Sequence, residues 1–164
     1  SEAKDALESG TVHPSDPQKG LSDPVEGVKV DQTIGDGETL KIGAQILTAI
    51  ASPGHSPGGT SWRWQSCDKG KCLNIVFADS LSAVSADDYH FSDHPEYVAP
   101  LRASISRIAA FKDCDILITP HPSQSGFFER LAGEEPLIDT SACSAYAAGA
   151  LTRLENRLAK EKAK

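Results

Sequence analysis

Apolar residues recur along this chain with two periods. Residues 45–50, Gln45-Ile46-Leu47-Thr48-Ala49-Ile50, are apolar almost without a break, the signature of a buried strand. Residues 61–66 alternate around Trp62 and Trp64, and residues 73–78 are nearly all apolar, so the two predict a hairpin with its second strand inside a sheet. A short run at 114–119 predicts another buried strand. Segments 28–34 and 38–42 alternate about Gly35-Asp36-Gly37 and predict a strand, a tight turn and a strand.

The longer period marks helices. Ala3, Ala6 and Leu7 share a face that stops at Gly10. Pro100 suits a first helical turn, with Leu101, Ile105 and Ile108 continuing the face to Phe111. From Ser141 a last helix turns Tyr146, Ala150, Leu151, Leu154 and Leu158 inward. Between these lie proline-rich surface loop at 11–25, polar loop at 83–96, and loop with some helix at 123–139, where Phe127 and Phe128 are core or pocket wall.

A chain of 164 residues can bury the core of one domain, so 1–164 is read as a single domain without a linker. A net charge of -7 leaves no basic stripe for phosphates, which argues against a nucleic-acid partner. No apolar run is long enough to span a bilayer, and no signal-peptide pattern is present. Four cysteines change the picture more. Cys67 and Cys72 flank the turn Asp68-Lys69-Gly70-Lys71, where a disulfide suits the mouth of a hairpin; a Cys114–Cys143 bridge would tie the last helix to the sheet. An even count favours an oxidising compartment, periplasmic or secreted. A four-cysteine zinc site is the rival reading, against which stands the absence of Cys-x-x-Cys.

The chemistry gathers at two stiff turns. Ser-Pro-Gly-His-Ser-Pro-Gly-Gly-Thr at 52–60 holds His55 after one buried strand, and Pro-His-Pro at 120–122 holds His121 after another. If both strand ends open on one side, the two imidazoles converge as zinc ligands. Two histidines are only part of such a site. Asp79-Ser80-Leu81-Ser82 follows a third buried strand, a place where ligands of layered α/β proteins are held. His13 reads as an ordinary loop histidine. Asp87, Asp88, His90, Asp93 and His94 are ligand types on a segment with nothing to fix their geometry, so they read as solvated loop.

Ser-Pro-Gly-His-Ser-Pro-Gly-Gly-Thr-Ser-Trp at 52–62, Phe-Ala-Asp-Ser-Leu-Ser at 77–82 and Cys-Asp-Ile-Leu-Ile-Thr-Pro-His-Pro at 114–122 resemble the later motifs of subclass B3 metallo-β-lactamases. The resemblance implies an α/β (α+β) fold, the C-terminal half of an αββα sandwich with a mixed sheet flanked by helices. It makes His55 match the third ligand of a three-histidine zinc site and His121 a ligand of a second zinc. Ser80 resembles a catalytic serine that hydrogen-bonds zinc-bound water, Ser82 a residue contacting the substrate carboxylate, and Asp79 is left as structural. Cys114 and Cys143 match the family's disulfide, and Cys67 and Cys72 an additional bridge of some members.

The family's His-x-His-x-Asp-His motif occurs nowhere in the chain. In the family it lies upstream, and the uncapped first helix fits a chain that starts inside a domain. The implied function is hydrolysis of the β-lactam ring of penicillins, cephalosporins or carbapenems by a metal-bound hydroxide, with two zinc ions in the complete site. The implied partners are the β-lactam and a missing N-terminal half, on another chain or not recorded. Two other readings compete: a thioesterase or lactonase of the same superfamily, against which Ser80 stands in place of a bridging carboxylate, and a non-catalytic complementing fragment.

Overall fold

The computed structural model describes residues 2–163. The sheet has five strands in the order of the chain: β1 Thr39–Ile42, β2 Gln45–Ala51, β3 Thr60–Asp68, β4 Lys71–Phe77 and β5 Ile116–Ile118. β1 to β4 are antiparallel neighbours, and β5 joins β4 in parallel, so the sheet is mixed. The helices are α1 Glu2–Ser9, α2 Pro95–Ala109, α3 Phe127–Leu131 and α4 Ala142–Lys162.

Local chemistry explains the turns. β3 and β4 are joined by Lys69 and Gly70, both at positive φ (46° and 80°), the two-residue turn whose twist matches a hairpin. Directly opposite each other at its mouth, Cys67 and Cys72 form a disulfide. β1 and β2 turn through Gly43 and Ala44, with Gly43 at φ 60°.

Register sorts the sheet into two unlike faces. Ile50, Ser61, Val76 and Leu117 share one face and are almost completely buried, and Val76 and Leu117 join one core with Leu101, Ile105, Ile108, Tyr146, Ala147, Ala150 and Leu154 of α2 and α4. A second disulfide, Cys114–Cys143, fastens the start of α4 beside β5, and both its residues are fully buried. With both pairs bridged there are no free cysteines, which excludes the four-cysteine zinc site. The opposite face presents two rows, Trp62-Phe77-Ile118 and Trp64-Ile75-Ile116, whose side chains are only half-buried.

Four expectations change. Residues 28–34 form no strand; their apolar positions lie along α1, where the Val28 amide donates to the Leu7 carbonyl at 2.8 Å. α2 begins at Pro95, which takes the first-turn position, and Pro100 sits exposed inside the helix. Segment 83–96 is not wholly loop, because it includes the 3-10 turn Phe91–Asp93, and Phe91 is fully buried under α4. In α4, Leu151 stays 39% exposed because the buried stripe runs through Cys143, Ala147 and Ala150 instead. Phe128 is likewise exposed on α3, and Phe127 is half-buried.

Candidate metal centre

β2, β4 and β5 all run in one direction, since β2 and β4 are each antiparallel to β3 and β5 is parallel to β4. Their carboxyl ends therefore open on one edge of the sheet. Out of that edge come Ser52 to His55 after β2, Asp79 to Ser82 after β4, and Pro120-His121-Pro122 after β5. The residues that sequence singled out thus share one rim.

The His55 turn is wedged from several sides. Gly54 lies against α2 so closely that a Cβ would stand 2.4 Å from Leu101 Cδ1. Ser104 Oγ on α2 donates to the Pro53 carbonyl at 2.7 Å. Gln18 Nε2 donates to the His55 carbonyl at 2.9 Å, so the early proline-rich loop braces this turn, and its Asp16 and Pro17 are buried. His55 is half-buried, and its Nδ1 lies 3.2 Å from the Ser82 carbonyl oxygen. A carbonyl oxygen only accepts, so Nδ1 carries the proton and the lone pair is left on Nε2. This is the arrangement by which an outer partner orients a metal-binding imidazole.

Ser80 is 3% exposed, and its Oγ is buried without a hydrogen-bond partner. A buried hydroxyl normally finds one, and leaving it unpaired costs about 1–3 kcal/mol. Ser80 lies on the loop after β4, two residues before the carbonyl that holds His55. His121 is exposed, with the extended backbone required before proline (φ −107°, ψ 97°). Its carbonyl accepts from the buried Thr119 Oγ1 at 2.8 Å and from the Gln124 amide at 2.9 Å. The donor set therefore fits zinc, which takes neutral imidazole nitrogen, as part of a site and not the whole of one. Among the described residues no three His, Cys, Asp or Glu side chains come together to hold a metal ion. That includes the 83–96 segment: Asp87, Asp88 and Asp93 are exposed, and His94 stacks on Tyr89 and pairs with Glu96 at 2.9 Å. His13 bonds Ser15 at 2.7 Å, as a loop histidine does.

Asp79, read from the sequence as structural, connects these turns together with buried serines. Asp79 Oδ2 accepts the Thr60 amide at 3.0 Å and Oδ1 the Ser80 amide at 2.8 Å, while its own amide donates to Ser61 Oγ at 2.9 Å. Ser61 in turn lies 2.8 Å from Ser52 Oγ, both buried. The signal in the sequence was a serine just past the end of β2 and another at the start of β3, where a buried hydroxyl demands a partner. Tyr146 reaches the same turn from α4, and burial holds its phenol above the usual tyrosine range, so it remains a donor at neutral pH.

No protein-family model matches the sequence. Solved structures do match. The metallo-β-lactamase MIM-1 from Novosphingobium pentaromativorans superposes over 99% of this chain with a TM-score of 0.94 and 45% identity. MEM-A1, a subclass B3 metallo-β-lactamase from a soil metagenome library, covers 98% of it at 0.88 and 38%. In fold and sequence the chain resembles the subclass B3 metallo-β-lactamases. A third metallo-β-lactamase, SMB-1 in a complex with mercaptoacetic acid, covers 98% of the chain at 0.89 and 46%. The match spans 60% of the MIM-1 chain and 63% of the other two, so this chain corresponds to about three fifths of each metallo-β-lactamase. The sheet face with Trp62, Trp64, Ile75 and Phe77 is only half-covered in this chain.

Proposed function

We propose that the chain is the C-terminal part of a zinc-dependent β-lactamase that opens the β-lactam ring of penicillins, cephalosporins or carbapenems. The observation that carries this is the Nδ1–H of His55 held by the Ser82 carbonyl, which leaves Nε2 free on the rim whose loops also carry the unpartnered Ser80 Oγ and His121. His55 and His121 supply neutral nitrogen ligands, each to one of two zinc ions, and the remaining ligands come from the part of the domain outside this chain. Bound zinc polarises a carbonyl and lowers the pKa of a coordinated water to about 7. In this reading Ser80 Oγ makes the hydrogen bond that orients that water, and Ser82 contacts the β-lactam carboxylate. The remaining partner is the missing N-terminal half of the domain, on a second polypeptide or elsewhere in a longer chain, with no role for nucleic acid or membrane.

Both disulfides support folding in an oxidising compartment, periplasmic or secreted. Among the described residues no helix is long and apolar enough to cross a membrane.

The test supplies the chain with the part of MIM-1 that lies outside the match and measures zinc content and hydrolysis of a β-lactam, a lactone and a thioester. The reading requires about two zinc ions per assembled pair, hydrolysis of the β-lactam above all, and loss of both zinc and activity in His55→Ala and His121→Ala. Zinc-independent association without hydrolysis would make the chain a non-catalytic fragment, and preference for the thioester or lactone would place it among other hydrolases of this fold.

A further inference from the structure

His55 and Ser80 sit on different loops, one following β2 and the other β4, with β3 between the two strands. Two clamps join those loops. At the rim, His55 Nδ1–H meets the Ser82 carbonyl at 3.2 Å. At the base, the Asp79 carboxylate takes the Thr60 amide with one oxygen and the Ser80 amide with the other. Gly59 makes room for that carboxylate: a Cβ there would stand 3.1 Å from Asp79 Oδ2 and 2.6 Å from the Ser52 carbonyl oxygen. The atoms form a closed ring, from His55 through the turn to Thr60, across Asp79 to Ser80, and along the chain to Ser82 and back.

In such a ring the length of the rim bond is set by the base. Removing the carboxylate leaves two amides without their acceptor and lets the loops part, and a hydrogen bond already at 3.2 Å has little length to give before it is lost. The ring is then free to carry its proton on either nitrogen.

We propose that Asp79 is a positioning residue for His55: by joining Thr60 to Ser80 it fixes the distance at which the Ser82 carbonyl holds Nδ1–H, and so keeps Nε2 as the free nitrogen. This deepens the reading of His55 as a zinc ligand and rests on it for its consequence. Asp79 itself touches neither metal nor substrate.

The experiment follows the ring nitrogens of His55 by nuclear magnetic resonance, on the full chain labelled with nitrogen-15, for the unaltered protein, Asp79→Ala, Asp79→Asn and Val76→Ala. Circular dichroism reports folding, and zinc chloride, added together with the part of MIM-1 outside the match, is the probe of metal binding. The unaltered chain shows a single Nδ1–H tautomer. Asp79→Ala shows mixed tautomers. Asp79→Asn, which keeps shape but turns an amide N–H2 towards one backbone donor, moves the same way and weakens the zinc response of His55 at least tenfold. Val76→Ala, which destabilises the core without touching the ring, leaves the tautomer in place. A folded Asp79→Asn protein with the His55 tautomer unchanged would overturn the proposal, and this variant decides the matter if Asp79→Ala does not fold. If zinc moves neither the His55 nor the His121 signals even with that part of MIM-1 present, the metal reading fails. The tautomer comparison still decides the positioning role.

Discussion

Tyr146 on α4 holds two backbone groups of the turn after β4 with one hydroxyl, donating to the Asp79 carbonyl oxygen at 3.1 Å and accepting the Leu81 amide at 3.2 Å. The terminal helix is thereby attached to the turn that carries Ser80. Tyr146→Phe keeps the ring and its packing but leaves the Leu81 amide unpaired in a buried place. The expected cost is about 1–3 kcal/mol in urea unfolding, with faster hydrogen exchange at Leu81. Unchanged exchange there would show that the hydroxyl holds nothing.

The strands at 45–50 and 73–78 were legible because each is apolar on both faces, and the two turns because proline and glycine punctuate them so densely. What escaped is tertiary. Alternation at 28–34 reads the same whether Val28 and Val30 meet a sheet or a helix, and here they meet α1. Leu151 lies one position beyond the edge of a stripe that Cys143 and Ala147 complete, and a cysteine bound in a disulfide does not stand out as a helix core residue. His55 and His121 were readable as types in stiff turns. The roles of Ser61 and Gln18 were not, and Asp79 was readable only as structural, because their partners are distant in the chain and the contacts exist only once the sheet has formed.

The two disulfides contribute unequally. Cys114–Cys143 closes a separation of 29 residues, and Cys67–Cys72 a separation of 5. On chain-entropy grounds alone, removal costs about 3–4 kcal/mol for the first and about 2 kcal/mol for the second. The difference widens because Cys114 and Cys143 are fully buried and their removal also opens the core, while Cys67 and Cys72 are exposed at the hairpin tip. Urea titration of the two double-alanine variants measures this, and equal losses would contradict it.

Acid should unfold the chain partly through Asp139 and Glu161. The Ser141 side chain and backbone amide, with Arg130, hold the Asp139 carboxyl below its usual range, at the start of α4. Burial pushes Glu161 up, but Arg157 and the amides of Ser92 and Phe91 outweigh it and hold the carboxyl low. Groups with lowered folded values bind fewer protons folded than unfolded, so their stabilisation is complete above about pH 4–5 and fades as pH falls through the folded values. The urea midpoint should stay level from pH 7 to about 5 and then drop. Asp139→Asn should lower it most at pH 7 and converge with the unaltered chain in acid.

Ile75 and Val76 are neighbours in β4 that face opposite ways, and they separate what holds this chain together from what it offers to the rest of a domain. Val76 is fully buried against the helices, whereas Ile75 is half-exposed in the row with Trp64 and Ile116. A carboxylate at position 76 would be a charge buried among apolar core side chains, so Val76→Asp should leave the chain unfolded. Val76→Ala should cost about 2 kcal/mol. Ile75→Asp should keep the circular dichroism of the unaltered chain and lose about 1 kcal/mol or less, because its side chain still reaches solvent. If the half-covered face is where a further layer packs, the same Ile75→Asp chain should fail to associate with the unmatched part of MIM-1. Titration calorimetry against that polypeptide reads the association directly. Binding as tight as that of the unaltered chain would place the layer somewhere other than on the Trp62–Trp64 face.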